Sequence, residues 1–367
     1  MRVALVHDWL IHMRGGEKVL DALAEMYPEA EIYTLFYNRK RLSQNLQKKK
    51  ITASWLQWVP GIRLFYRWFL PVLPFVVRSL KLKAADLVLS SSHCVAKGVR
   101  LPGGARHICY CHAPMRYAWG FENEYFSSFL PPFRGLIRYI LKRLRRWDTD
   151  VNASVHKFVS NSENIRKKIE KCYGRTATVV YPPLDYQYFQ NPAAGHRDYY
   201  LVVSAFVPYK RIDIVIDAFN RLDRKLMIIG SGPLASRYEQ MRKSSNISFV
   251  GNVSGEQLKA LYAGAKALIF PTDEDFGIVP LEAQACGTPV IALGRGGALE
   301  SVKTGLFFMT QKEDAVRKAV LEFEAQKWDY QTISMKVEMF SKIHFQESMR
   351  LVIDAEMSAG HETYVAS

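Results

Sequence analysis

The chain has 367 residues, of which 49% are hydrophobic and 23% charged, so it is long enough for two folded domains and too apolar for a disordered protein. Five scattered cysteines do not make the framework of a disulfide-stabilised secreted domain. The net charge is +15, and it is uneven: residues 1–185 carry 30 Lys and Arg against 14 Asp and Glu, whereas residues 186–367 carry 20 against 21. A basic first half predicts a polyanionic partner, either nucleic acid or an acidic lipid surface.

The N-terminus runs directly into the strand-like segment RVALVHDW, without the features of a secretion signal, so we expect a cytoplasmic protein with reduced thiols. The next segment, HMRGGEKVL, places Gly15, Gly16 and Glu17 before a helix. Glycines at such a position let backbone amides approach an anion or a sugar. A plain strand-to-helix turn explains them equally well, so the pair is a weak signal.

Short apolar runs alternate with helix-length amphipathic segments along the whole chain. The predicted strands are RVALVHDW, IYTLFY, DLVLSSS, RHICYCHAP, KFVSNS and ATVVYPP in the first half, and YYLVVSAF, KLMIIGSG, ISFVGNV, KALIFPT and TPVIAL in the second. Strands that are hydrophobic throughout and separated by helices are typical of a parallel sheet covered on both faces. The predicted fold class is therefore α/β, with two doubly wound domains facing a cleft. A proline-rich, polar segment places the linker near residues 191–196. The predicted domains are residues 1–190 and 191–340, and a last helix over 341–367 could pack back on the first domain.

Two basic, aromatic segments lie in the first half. Residues 32–85 contain 11 basic residues and no acidic one, and they include the run WLQWVPGIRLFYRWFLPVLPFVVRSLKLK; a second run is FRGLIRYILKRLRRW. Either segment alone is more often an amphipathic face on a core. Together they favour contact with an anionic membrane surface. The residues predicted to lie on this membrane or acceptor side are Trp58, Arg63, Arg67, Trp68, Arg143, Arg145 and Arg146.

Candidate polar residues follow several predicted strands. His112, in CYCHAPMRYAW, ends a strand that should face the cleft, although a lone histidine is usually structural. Lys210 and Arg211 follow the first strand of the second domain and are placed to neutralise a diphosphate. The loop IIGSGP, with Gly230 and Gly232, is a weak signal for close approach of the backbone.

The most informative segment is PTDEDFGIVPLEAQACGTPVIAL, residues 271–293. Its loop leads into a helix N-terminus, which favours anions. Glu274 in the loop and Glu282 about one turn into the helix can both face a ligand there, and a carboxylate accepts hydrogen bonds from two vicinal hydroxyls. Taken singly, each glutamate is more often an exposed surface residue.

These motifs occur in the order seen in a known family. Gly-Gly-Glu at 15–17, His112 in CHAP, SNS at 160–162, YPPLD at 181–185, Lys210, GSGP and the Glu274 to Glu282 spacing resemble the family 4 retaining glycosyltransferases, which have the GT-B fold. The resemblance implies that Glu282 holds the ribose hydroxyls of the donor and that Lys210 holds its diphosphate. It implies that the sugar is bound by Glu274 and His112, with the phosphate side closed by the Gly15 and Gly16 loop. The backbone contacts to the sugar would come from Phe276, Gly277, Ile278 and Val279.

The chain departs from this family at Ala205, where many members have an arginine that shares phosphate binding with the lysine. Arg211 is our hypothesis for the second cation. The Tyr-Lys-Arg and CHAP segments are similar to the WbaZ-type mannosyltransferases of O-antigen and exopolysaccharide assembly, which implies GDP-mannose as the leading donor. Because the basic segments favour an anionic membrane surface, we expect a polyprenyl-diphosphate-linked glycan as acceptor.

The resemblance also implies front-face transfer with retention of configuration. The two basic, aromatic segments, rather than the resemblance, predict a peripheral protein on the inner face of the cell membrane. No Asp-x-Asp motif precedes an apolar strand, so we expect no metal or other cofactor. Two alternatives stay open: a GT-B nucleotide-sugar epimerase, and a nucleic-acid-binding protein that uses the basic half. The second predicts no role for the two glutamates, and no RNA or DNA module is visible, so we expect no nucleic-acid partner.

Overall fold

The computed structural model describes residues 1–119, 131–190, 192 and 196–365. The chain forms two compact units: unit 1 comprises Met1–Pro183 with Ile343–Ser367, and unit 2 comprises Leu184–Lys342. Four of the predicted linker residues, 191 and 193–195, lie outside the described residues.

Unit 1 is built on a parallel sheet of seven strands in the order β3-β2-β1-β4-β5-β6-β7. The central strands are apolar and buried on both faces, as in β4, where all six residues are buried. The order reverses between β1 and β4, where Leu5 pairs with Leu89. The strands are β1 Val3–His7, β2 Glu31–Thr34, β3 Ile51–Ala53, β4 Leu87–Ser92, β5 Arg106–Cys111, β6 Lys157–Ser160 and β7 Ala177–Val179.

Helices cover both faces of this sheet. They are α1 Gly15–Met26, α2 Gln44–Lys48, α3 Ile62–Phe65, α4 Leu73–Arg78, α5 Arg116–Trp119, α6 Pro131–Asp150 and α7 Glu163–Tyr173. Short 3-10 helices lie at Arg39–Arg41, Trp55–Trp58, Tyr66–Phe69, Ala96–Gly98 and Val151–Ser154.

The last helix of the chain belongs to unit 1. Its residues Phe345, Met349 and Ile353 recur every four positions, so they lie on one helical face, and all three are buried in the same core cluster as Leu20 and Leu23 of α1. The Gln346 amide donates a hydrogen bond of 3.1 Å to the Ala22 carbonyl. Burying three such side chains stabilises the docked helix by roughly 1.5–3 kcal/mol each.

Unit 2 is built on a parallel sheet of six strands in the order β10-β9-β8-β11-β12-β13. Its strand order reverses between β8 and β11. The strands are β8 Tyr199–Val203, β9 Lys225–Ile229, β10 Ile247–Gly251, β11 Ala265–Phe270, β12 Val290–Leu293 and β13 Gly305–Phe308. The helices of unit 2 are α8 Tyr186–Phe189, α9 Ile212–Phe219, α10 Ala235–Met241, α11 Gly255–Ala263, α12 Ile278–Ala285, α13 Ala298–Ser301 and α14 Glu313–Glu324. Its 3-10 helices lie at Pro208–Lys210 and Ser334–Phe340. The last helix of the chain, which packs on unit 1, is α15 Lys342–Val365.

The doubly wound α/β fold class is confirmed for both units, since each sheet is wholly parallel and reverses its strand order once. Two edge strands were not among the predicted ones. β3 has three residues that are all half-buried, and β13 begins with Gly305. Neither has the continuous buried apolar run from which the central strands could be predicted.

Candidate active site

Lys210 and Glu274 lie on loops that follow neighbouring strands of the second sheet. Lys210 ends the 3-10 helix after β8, and Glu274 lies in the loop after β11. The Lys210 ammonium forms an ion pair with a carboxylate oxygen of Glu274, and the Thr272 hydroxyl donates a hydrogen bond of 3.2 Å to the Lys210 carbonyl. Open α/β sheets bind ligands where the strand order reverses, outside the carboxyl ends of the strands. The structure therefore brings these two predicted residues together at that point of unit 2.

The loop that carries Glu274 and Phe276 is held by glycines that follow β12. The Gly297 N–H donates a hydrogen bond of 2.7 Å to the Glu274 carbonyl. A Cβ added at Gly297 would lie 2.1 Å from the Phe276 Cα, and one added at Gly296 would lie 2.4 Å from the Glu274 carbonyl oxygen. Only glycine allows the two backbones to come so close. These glycines were not among the predicted site residues, although Gly-Arg-Gly-Gly after a strand is the same kind of signal as Gly-Ser-Gly.

Glu282 lies on α12 and is held by a tyrosine from α11. The Tyr262 hydroxyl donates a hydrogen bond of 3.2 Å to one carboxylate oxygen of Glu282, which is 7% exposed. Burial, and then the charge of Glu282, holds the pKa of Tyr262 well above its ordinary value, so the phenol is the proton donor. This contact orients the carboxylate, and a carboxylate is a group that can accept hydrogen bonds from vicinal hydroxyls. Nothing in the sequence pointed to Tyr262.

The predicted contact segment from Phe276 to Val279 includes the start of α12. Gly277 precedes the helix with a φ of +95°. The Phe276 ring is buried, with its centroid 5.8 Å from that of Phe340. Ile278 and Val279 are the first two helical residues, whose N–H groups have no partner within an α-helix. The backbone of this segment, rather than the Phe276 ring, is therefore the part suited to a ligand.

The other predicted cation, Arg211, is paired with an acid. It has a φ of +51° and precedes α9. Its Nε lies 3.1 Å from Oδ1 of Asp213, and its terminal nitrogen lies 3.1 Å from Oδ2. A role for Arg211 on a diphosphate would require this ion pair to open.

Gly230 and Gly232 approach protein backbone closely. Their φ angles are +136° and +156°, and a Cβ at Gly230 would lie 1.8 Å from the Ser204 carbonyl oxygen. At Gly232 it would lie 2.6 Å from the Phe206 carbonyl oxygen. The loop after β9 is thus packed on the loop after β8, which leads to Lys210. The two glycines therefore support the loop that leads to Lys210 by close backbone packing.

His112 lies after β5 in unit 1, in a cluster with His7 and Ser91. The Ser91 Oγ is 2.7 Å from Nε2 of His112 and 3.1 Å from Nδ1 of His7, so one hydroxyl bridges two imidazoles. Burial, and then neighbouring histidines, lowers the pKa of His7 to about 3 and that of His112 well below its ordinary value. Both rings are therefore neutral at pH 7, and the hydroxyl donates to one ring and accepts from the other. Nε2 of His7 is buried and has no hydrogen-bond partner within the described part of the chain.

An aspartate fixes the loop beside this cluster. Asp8, directly after β1, is fully buried and accepts four hydrogen bonds of 2.6–3.0 Å from the backbone N–H groups of residues 93–96. Its Oδ2 also lies 3.1 Å from Nδ1 of His93. These bonds join the ends of β1 and β4, where the first sheet reverses its order. Asp8 was not predicted, although a charged residue directly after a buried strand could have identified it.

Gly15 and Gly16 are the first two residues of α1. A Cβ added at Gly16 would lie 3.5 Å from Nε2 of His112 and 3.5 Å from the His7 ring, whereas one at Gly15 would meet nothing within 4 Å. The structure therefore places the start of α1 against His112.

Residues 55–78 form an exposed apolar surface on unit 1. The exposed fractions of its largest side chains are 85% for Trp58, 70% for Trp68 and 76% for Phe75. Trp55, Leu64 and Phe65 are more than half exposed as well. Arg63 and Arg67 are also exposed. We call the six exposed aromatic and aliphatic residues the apolar surface: Trp55, Trp58, Leu64, Phe65, Trp68 and Phe75.

The second basic segment, α6, packs beside the first. Its Leu141 and Leu144 lie in the same hydrophobic cluster as Leu73 and Val76 of α4. Of the predicted arginines, Arg143 and Arg146 are exposed, as are Arg138 and Lys142. Arg145 is partly buried, and its Nε donates a hydrogen bond to the Ala118 carbonyl. Arg145 therefore differs from the exposed cations of α6, because its side chain is hydrogen-bonded to α5.

The described parts of the chain contain neither a membrane-spanning helix nor a cluster of metal-ligating side chains. No helix in those parts is both long and apolar enough to cross a membrane. Within the same residues, no group of three or more His, Cys, Asp or Glu side chains is placed to hold a metal ion.

Comparison with known proteins assigns the chain to a family. The model described as "Glycosyltransferase Family 4" matches residues 13–188, and the model described as "Glycosyl transferases group 1" matches residues 186–336. A GDP-mannose-dependent alpha-(1-6)-phosphatidylinositol monomannoside mannosyltransferase of Mycobacterium tuberculosis is 29% identical over 261 residues, 62% of this chain and 63% of the relative. The O-antigen chain mannosyltransferase C of Escherichia coli is 28% identical over 217 residues, 53% of this chain and 55% of the relative.

The chain thus spans between half and two thirds of the length of these curated relatives. The fold is also found in a solved structure, Anabaena Alr3699/HepE in complex with UDP, with a TM-score of 0.72 and 15% identity, covering 97% of this chain and 100% of that one. Two parallel sheets with one reversal each, and two family models that together match residues 13–336, lead to one conclusion: the chain belongs to glycosyltransferase family 4, with the GT-B fold.

Proposed function

We propose that this chain is a retaining hexosyltransferase that transfers mannose from GDP-mannose to a polyprenyl-diphosphate-linked glycan during assembly of a bacterial surface polysaccharide. The observation that carries the donor part is the pairing of Lys210 with Glu274 where the second sheet reverses its order, beside α12 with Glu282. A cation and a helix N-terminus suit a diphosphate, and two carboxylates suit the hydroxyls of a ribose and a hexose.

Donor binding exchanges the partners of the Lys210–Glu274 ion pair. The diphosphate replaces the carboxylate as the partner of the Lys210 ammonium, and Glu274 is then available to accept hydrogen bonds from sugar hydroxyls. The ammonium and the N–H groups at the start of α12 stabilise the negative charge that develops on the departing diphosphate. These groups act in place of a metal ion. The acceptor hydroxyl then attacks the anomeric carbon from the face on which the diphosphate departs. Its oxygen forms the new bond to that carbon as the bond to the diphosphate oxygen breaks, its proton passes to the departing phosphate oxygen, and the configuration is retained.

Mannose is the proposed sugar because two relatives are mannosyltransferases, and one of them is described as GDP-mannose-dependent. The solved neighbour with UDP shares the fold only, so a UDP-sugar is the alternative outcome for the donor.

The membrane part of the proposal is supported by the apolar surface and by the exposed cations of α6. Trp58, Trp68 and Phe75 are mostly exposed and lie in one segment, and clustered exposed apolar side chains are typical of an interaction surface. The exposed Arg143 and Arg146 lie on the adjoining helix α6. Aromatic side chains beside cations suit the interface of an anionic bilayer. We propose that this side of unit 1 rests on the inner face of the cell membrane, where the lipid-linked acceptor lies.

The test is transfer of labelled mannose from GDP-mannose to a polyprenyl-diphosphate-linked glycan in vesicles, in the presence of EDTA, with Glu282→Gln as the inactive control. We expect an acceptor-dependent product that retains the anomeric configuration of the donor. Conversion of the nucleotide-sugar without any acceptor would instead indicate an epimerase. Transfer only from UDP-sugars would overturn the choice of mannose, and a strict need for a divalent cation would overturn the metal-free mechanism.

A further inference from the structure

A groove of about 600 Å³ lies at the edge of the apolar surface and shares Trp55, Trp68 and Phe75 with it. Its floor includes Val76, which is 1% exposed and belongs to the core cluster of unit 1. Its walls include Trp68 and Phe75, which are mostly exposed. Among the residues that the structure describes, no charged or hydroxyl-bearing side chain lines it: the lining residues are Trp55, Trp68, Phe69, Pro71, Val72, Phe75 and Val76. A volume of this size is within the range of small-molecule sites.

The segment that forms the groove is basic, and this restricts what can occupy the groove. Arg67 directly precedes Trp68, Arg78 ends α4, and residues 32–85 contain no acidic residue. Two copies of this chain joined through the groove would bring two sets of like charges together, which is unfavourable. An occupant that is apolar along its length and negatively charged at one end matches both the lining and its surroundings.

We infer that this groove binds the isoprenoid chain of a phosphorylated polyprenyl lipid. The inference rests on the proposed function for the identity of the lipid, since the proposed acceptor carries such a chain. Four of the seven lining residues are aromatic, and their flat faces suit the planar alkene units of an isoprenoid. The groove lies in the surface proposed to rest on the membrane, so a chain can enter it from the bilayer without crossing water. The acceptor is then held by its chain as well as by its glycan.

The inference is tested with the full-length protein and a farnesyl monophosphate probe that carries a diazirine near the end of its chain, used below its micelle concentration and without vesicles. After photolysis, mass spectrometry locates the labelled residues. We expect label at Trp55 and within residues 68–76. Inorganic phosphate should not compete, whereas unlabelled farnesyl monophosphate should.

Two matched variants separate the groove from the surface around it. Val72→Asp places a carboxylate in the groove at a side chain that is 40% exposed, and we expect it to lower labelling by more than about tenfold, because the chain would then bury an unpaired charge. Leu64→Asp makes the same change at a residue that is 79% exposed and outside the groove, and labelling should stay near that of the wild type. Phe75→Ser, which introduces no charge, is the second groove variant and should also lower labelling.

Three results would overturn the inference: label scattered over unit 1, equal labelling of the wild type and Val72→Asp, or equally strong labelling by a saturated lysophosphatidic acid probe. Cross-links between two copies through residues 68–76 would indicate self-association instead. Stabilisation by GDP is measured on the same variants. If GDP binding persists while the groove is not labelled, only the groove inference fails. If the groove is labelled but no nucleotide-sugar binds, the proposed function fails.

Discussion

Gly297→Ala tests the close backbone packing that holds the loop of Glu274. Gly297 has φ −70° and ψ −13°, so alanine fits the backbone conformation and the effect is purely steric. The new Cβ would lie 2.1 Å from the Cα of Phe276 and 2.4 Å from its nitrogen. An ordinary carbon contact is about 3.5–4.0 Å, so the loop and Gly297 must separate by about 1.5 Å.

A displacement of this size acts on catalysis more than on the fold. Misplacement of a bound group by about 1 Å can lower the rate about a hundredfold, and overpacking costs about 1–3 kcal/mol of unfolding free energy. We therefore expect kcat/KM for mannosyl transfer to fall about a hundredfold while the variant stays folded. Steady-state transfer assays and denaturant unfolding measure the two effects separately.

Gly103→Ala is the matched control, because a Cβ there meets no heavy atom within 4 Å. Its unfolding free energy should stay within about 0.5 kcal/mol of the wild type, and its kcat/KM should be unchanged. Wild-type kcat/KM in Gly297→Ala would refute the claim that this backbone contact positions the donor loop.

Further predictions concern the site, helix α6 and pH. Lys210→Ala should lower kcat about 10²–10³-fold and Tyr262→Phe should weaken donor binding about tenfold, measured by transfer assay and calorimetry; unchanged values would remove these residues from the site. Replacing Arg143 and Arg146 together by Gln should weaken sedimentation with anionic vesicles at low salt, and an unchanged bound fraction would contradict the membrane surface of α6. Arg145→Gln should instead lower the melting temperature, because its partner is the Ala118 carbonyl; an unchanged melting temperature would contradict that role. Burial lowers the pKa of His7 to about 3, so below about pH 6.5 the unfolded chain binds a proton that the folded chain does not. Stability should therefore fall with pH, by about 2 kcal/mol at pH 5 from His7 alone. Denaturant unfolding at pH 7 and pH 5 measures this, and an unchanged free energy of unfolding would contradict it.

Strands and local motifs could be predicted from the sequence because each is written in contiguous residues. The buried run of β4 and the sequence between Glu274 and Glu282 are examples, and the structure places both glutamates as the sequence predicted, one in the loop and one in the helix. The short edge strands β3 and β13 bury too little apolar surface to leave such a pattern.

The supporting contacts could not be predicted because they join distant parts of the chain. Ser91 and His7 are 84 residues apart and meet only because β1 and β4 are neighbours in the sheet. The hydrogen bond of Tyr262 to Glu282 likewise depends on how α11 packs near α12. The pairing of Arg211 with Asp213 is local, but a sequence does not show whether an arginine pairs with a nearby acid or with a ligand.

The donor site is tested most directly by a thermal-shift measurement of the purified protein in EDTA, with GDP-mannose and GDP as ligands. UDP-glucose and short RNA are measured in the same way, because they represent the alternative donor and the alternative function. We predict that GDP-mannose and GDP raise the melting temperature of the wild type, and that Glu282→Gln loses most of this shift while it melts at the wild-type temperature without ligand. A response to RNA with none to any nucleotide or nucleotide-sugar would contradict the proposed function, and the basic half of the chain would then be the binding site.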